Sequence, residues 1–136
     1  MVKTKRSKIE PYESKSQRYM DNAKKLLHSS PIEGDNYVDL KYVRQACGTA
    51  YLAILKSLDD YFLNHGFEKK RLPKSVEGYR AAIHKLLKSQ NGRFSGDFEM
   101  LYSELHIAGY YRGLIANVDA LHDIFASAER FIKKLD

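Results

Sequence analysis

The chain has 136 residues, 43% of them hydrophobic and 29% charged, with a formal net charge of +6. That length suits one domain around one core, and the balance is that of an ordinary globular protein rather than a low-complexity one. No run approaches ~18 uninterrupted apolar residues, which excludes a transmembrane helix.

The first ten residues are basic and carry little to bury, so residues 1–10 are expected to be disordered and residues 11–136 to form a single helical domain. No apolar core follows this basic start, so no secretory signal is expected. Pro11 suits the first turn of a helix that runs to about His28, with Tyr12, Tyr19, Ala23, Leu26 and Leu27 on its apolar face. Pro31 and Gly34 then break the chain into a loop.

Val38 to His65 reads as a long central helix. One apolar line follows Val43, Ala46/Cys47, Ala50, Ile54, Leu58 and Tyr61, and a second follows Gly48, Leu52, Leu55 and Phe62. A helix with two apolar lines and one narrow polar stripe must meet neighbours on more than one side. Asp35, Asn36 and Asp39 are its candidate N-caps. Gly48 is either tolerated or kept for a close approach, since glycine costs roughly 1 kcal/mol against alanine in a helix. Leu55→Ala and Ile54→Ala are each expected to destabilise by roughly 2–5 kcal/mol.

Gly66 is a natural helix stop. A basic connector follows, then a short helix capped by Ser75 and running to about Ser89. A fourth helix begins near Ser95 to Asp97, with Phe94, Phe98, Leu101, Leu105, Ala108 and Arg112 on one line. Gly113 marks the turn into a last helix, about Leu114 to Lys134, with Val118, Leu121, Ile124, Phe125, Ala128, Phe131 and Ile132 on its apolar side. No strand candidate competes. The fold class is all-α, a five-helix up-and-down bundle.

The positive charge is uneven. Residues 1–30 carry net +5 and residues 66–93 carry net +6, while the rest is net acidic. If the two basic blocks lie side by side they form one basic face, able to attract RNA or another anionic polymer. Lys69, Lys70, Arg71, Arg80, Lys85 and Arg112 are the candidate anion-binding residues. Arg112 continues an apolar line, so it is expected either to be buried against a carboxylate, to point into a cleft, or to reach out past the helix end.

The single cysteine, Cys47, cannot form an internal disulfide and lies on an apolar face, which fits a small buried hydrophobe in a cytoplasmic protein. The five histidines have no His-Glu-x-x-His or thiolate partner pattern, so no metal and no cofactor is expected. Gly92 to Gly96 is too short for a phosphate loop. Ten tyrosines and no tryptophan are a skew, and Tyr42, Tyr51, Tyr102 and Tyr110 fall at helix edges, where such residues line grooves or core rims.

The run Ala46 to Leu58, the short basic helix, Leu101 to Tyr111 (LYSELHIAGYY) and Ala126 to Ile132 together resemble the HEPN superfamily of small all-α bundles. The resemblance implies a frequently dimeric domain. It also implies either a metal-independent ribonuclease or a non-catalytic partner, of a nucleotidyltransferase or of RNA or nucleotides. The ribonuclease members have an arginine, then four to six intervening residues, then a histidine. Here the nearest case is Arg80 and His84, with three residues between, so the pattern is not matched. The reading is a non-catalytic HEPN-like binding module, homodimeric, not bound to membranes. RNA or nucleotide binding through the basic face, and a degenerate ribonuclease built on Arg80 and His84, are the alternatives.

Overall fold

A computed structural model describes residues 14–87 and 92–136. The first helix, α1, is Lys15–His28. Ser14 opens it, its hydroxyl accepting from the Gln17 amide, as N-cap serines do. Met20, Ala23 and Leu27 are buried on its inner side. The expected start at Pro11, and the disorder expected for residues 1–10, fall outside the described residues.

Two very short antiparallel strands follow, β1 (Ile32–Glu33) and β2 (Asn36–Tyr37), with Ile32 opposite Tyr37. The sequence reading expected no strand. Two-residue strands are too short to show any alternation, and what holds this hairpin is distant. The Tyr37 amide donates to Ala116 O at 2.8 Å, and the Val118 amide donates to Asp35 O at 2.8 Å. The Tyr37 hydroxyl also meets His122 Nε2 at 3.2 Å.

The central helix, α2, is Leu40–Asn64. Of the three cap candidates, Asp39 serves, accepting from the Lys41 amide at 3.1 Å. Val43, Ala46, Cys47, Ala50, Ile54 and Leu58 are all buried, which is the first apolar line. Gly66, at φ 104°, ends the helix, and the Phe67 amide closes on Phe62 O at 3.0 Å.

Lys69–Arg71 form one 3₁₀ turn, and α3 is Val76–Leu87. The Ser75 hydroxyl accepts from the Gly78 amide at 3.0 Å, the expected cap. The fourth helix starts at Arg93, two residues earlier than its pattern suggested: α4 is Arg93–Leu101. It continues without a break as a π-helical segment, Tyr102–Tyr111. Gly113 then turns the chain at φ 61°. The last helix, α5, is Val118–Leu135 and not Leu114 onward. Residues before Val118 are held extended against the hairpin, and Asn117 caps the helix by accepting from the Ala120 amide at 2.8 Å.

The fold is all-α, with five helices and one small hairpin among the described residues. Its core is one cluster in which Phe62, Phe98, Phe131, Met20, Ile54 and Leu58 are fully buried. Helix α2 packs against α1, the π segment and α5, so it touches neighbours on several sides.

Candidate functional site

The π segment is the least regular part of the backbone, and such segments are frequent at functional sites. It packs on α2 across small residues. Gly109 is buried directly on Cys47: a Cβ there would stand 2.6 Å from Cys47 Sγ and 2.9 Å from the Glu104 carbonyl oxygen. Gly48 on the facing helix is covered by the Tyr110 ring, to which an added Cβ would come within 2.8 Å. Gly48 therefore serves a close approach.

The widened turns also shift the register. Leu101, Leu105 and Gly109 are buried, whereas Ala108 is only partly so. The α-helical line drawn through Ala108 to Arg112 thus breaks after Leu105. Arg112 lies exposed at the end of the segment. It is not buried, and of the three expected positions the one past the helix end fits it. The end of the segment is capped instead by Arg44 of α2, whose Nε and Nη2 donate to the carbonyls of Tyr110 at 3.0 Å and Tyr111 at 2.8 Å. A cation at a helix C-terminus satisfies carbonyls left without partners. Nothing in the spacing of Arg44 announces that role.

A column of rings runs along the segment. Tyr102 and His106 stack with centroids 5.5 Å apart, and His106 and Tyr110 at 6.0 Å. Tyr51 of α2 lies against the column, 4.9 Å from His106 and 5.9 Å from Tyr102. Burial, helped by Tyr102, raises the Tyr51 hydroxyl to about 12, so it stays protonated. At the far end Arg80 of α3 sits 5.3 Å over the Tyr102 ring. Its Nε and Nη2 donate to the two Glu99 carboxylate oxygens at 2.6 and 3.0 Å, a bidentate pair.

His106 and Tyr110 of this column, with Tyr51, form one wall of an open groove of about 610 Å³. The floor is the outer side of α2, at Gly48, Thr49, Leu52 and Leu55. Leu26 of α1 also lines it, and Gln45 adds a polar side chain. Leu52 is 49% exposed and Tyr110 45%. The second apolar line of α2 therefore parts from expectation: Phe62 is buried, Leu55 is partly so and Leu52 is open to solvent.

The other anticipated residues are spread. Lys69, Lys70 and Arg71 are all exposed on the 3₁₀ turn, and His84 and Lys85 are exposed on α3. The Arg80 guanidinium is held by Glu99 and, at 3.9 Å, Glu77, while His84 makes no hydrogen bond or ion pair in the described residues. Helix α1 packs chiefly on α2, and α3 on α4, so the helices described within the two basic blocks belong to different packed pairs. Cys47 is fully buried, and burial pushes its thiol up to about 12, which leaves it un-ionised and inert at neutral pH. On α3, the Tyr79 hydroxyl donates to Asp59 at 2.9 Å.

No described helix is long and apolar enough to cross a membrane. Sequence reasoning noted the tyrosines at helix edges but missed His106 and the π segment. The local signal available was the spacing Tyr102, His106, Tyr110.

No curated protein matches the chain. A solved structure, a protein of unknown function from Dyadobacter fermentans, is 29% identical, covers 88% of each chain and superposes with a TM-score of 0.71. Residues 11–136 match the family described as "Domain of unknown function (DUF5618)". The match spans nearly the whole sequence, and the chain belongs to that family.

Proposed function

We propose that this protein is a non-catalytic, HEPN-like interaction module that works in the cytoplasm as a homodimer, with the groove on α2 as its working surface. The observation that carries this reading is the open second apolar line of the most buried helix. Leu52, Leu55 and Leu26 present carbon surface beside the aromatic column. Contiguous apolar surface with a polar rim is characteristic of interaction sites. The absence of an arginine–histidine pattern, and the commitment of Arg80 to Glu99, favour binding over RNA cleavage. The reading is tested by the mass of the full chain in solution. A dimer at micromolar concentration supports it, and a strict monomer up to ~100 µM overturns it, since that concentration corresponds to only about −5.5 kcal/mol of association.

A second reading, RNA or nucleotide binding, rests on the three consecutive exposed cations Lys69, Lys70 and Arg71. It requires an affinity for RNA that falls steeply with salt. Charge reversal at these three residues should weaken binding alike for all sequences; binding indifferent to salt counts against it.

A further inference from the structure

We infer that the groove takes a second copy of this chain, with the two α2 helices antiparallel about a two-fold axis that passes beside Leu52; this rests on the homodimer reading above. Helix α2 runs from Leu40 to Asn64, and Leu52 is its middle residue. One line along the helix follows Lys41, Gln45, Gly48, Leu52, Lys56, Asp59 and Leu63, with steps of four, three, four, four, three and four; Lys41, Gln45, Leu52 and Leu63 are exposed and the other three are half-buried. Those steps read the same in both directions. A two-fold axis at Leu52 therefore sets each of these residues level with another member of the same line, and an interface between identical chains must be self-complementary in this way.

The pairs so formed set no like charges opposite one another. Leu52 meets its own copy. Gly48, covered on one side by its own chain's Tyr110, lies level with Lys56. Gln45 lies level with Asp59, whose carboxylate accepts from Tyr79 through one oxygen and has the other left to accept again. Lys41 lies level with Leu63, itself 39% exposed, and one helical turn from Asp59. Charge selects the antiparallel direction. The N-terminal half of the outer side carries Lys41 and Arg44, both exposed, and the C-terminal half carries Lys56 with Asp59 and Asp60. Antiparallel pairing sets the positive half against the net negative half, whereas parallel pairing sets like against like. The outermost pair lies ~16 Å from the axis, at 1.5 Å per residue, so the strip is long enough to fix one register.

Cross-linking of the full chain through one introduced cysteine tests this. Under mild oxidation Leu52→Cys should link to its own copy. Lys41→Cys and Leu63→Cys should link poorly alone and efficiently when mixed, because a disulfide needs Cβ atoms ~3.5–4.5 Å apart. The parent chain is the control, since Cys47 is buried and should not link. Leu52→Arg should weaken the dimer at least tenfold with unchanged helical circular dichroism. A dimer in which Leu63→Cys links to itself as well as Leu52→Cys does, or which Leu52→Arg leaves intact, overturns the register while the homodimer reading survives. A chain that is monomeric alone and gains mass only with RNA or another polypeptide overturns both.

Discussion

The two sides of α2 carry similar residues and meet different fates. On the inner side Val43, Ala46, Cys47, Ala50, Ile54 and Leu58 vanish into the core. On the outer side Gly48, Leu52 and Leu55 are apolar or small and yet remain partly wet. Periodicity reports how apolar a face is; it does not report what covers it. Coverage depends on which neighbours the topology brings round, and here α1 and the π segment pass on either side of the outer line without closing over it. An apolar face left open by its own chain is where a second chain gains most, since burial is worth roughly 25 cal/mol for each Å² removed from water.

The comparison can be broken at its strongest point first. Ile54 is fully buried, so Ile54→Ala should cost about 2–5 kcal/mol in urea unfolding. A loss below about 1 kcal/mol would show that the inner line tolerates cavities and that the two sides are alike. The contact between α2 and the π segment comes next. Gly109→Ala forces a methyl onto Cys47 and the Glu104 carbonyl, and should cost about 1–3 kcal/mol as overpacking does. Gly48→Ala meets only the half-exposed ring of Tyr110. The ring can swing aside and the helix gains roughly 1 kcal/mol of propensity, so the net change should be near zero. Equal losses at both glycines would mean that Tyr110 is held as firmly as Cys47.

Leu55 revises an earlier expectation. Its sequence position suggested the same loss as Ile54, but it lines the open groove and is only partly buried. Leu55→Ala should therefore cost only about 1 kcal/mol, within the range of a partly buried side chain, and should weaken self-association more than folding. Unfolding measured alongside solution mass separates the two.

The smallest effect is one of pH. Burial raises the Asp59 carboxyl above its usual value, against the hydrogen bond from Tyr79, which lowers it. The folded chain then holds this proton more tightly than the unfolded one. Ionising Asp59 accordingly costs stability as pH rises from the ordinary carboxylate value through the raised one, and the cost persists above it. Asp59→Asn should flatten stability against pH across that acid window and leave a slope elsewhere unchanged. A variant whose acid-side profile matches the parent would show that the carboxyl titrates normally.

Much of the architecture was legible in the residues. Five helices, the inner line of α2, the Ser75 cap and the turns at Gly66 and Gly113 all follow from local spacing and from glycine's ease at positive φ. What local spacing missed was set by distant contacts. The hairpin exists because residues 116–118 pair with it, and α5 starts late for the same reason. Within the π segment Gly109 meets Cys47 on another helix, a contact that local spacing does not report. A 3.6-residue period extended through the segment puts Arg112 on the apolar line, whereas Arg112 is exposed at the segment's end, the last of the three positions expected for it. The groove was half legible: Tyr51 and Tyr110 were recognised as edge residues, while His106 was weighed only as a metal ligand.

The ties between the hairpin and residues 116–118 bear on the order in which the chain assembles. Helices α1 and α2 are joined by a short connection, and their pairing can form while later residues are still being synthesised. The amide of Tyr37 and the carbonyl of Asp35 cannot find their partners until about 80 residues later. Through that interval the edge of the hairpin stays hydrated. The α1–α2 pair is thus an early, locally encoded unit, and the docking of α5 is the late step that locks it.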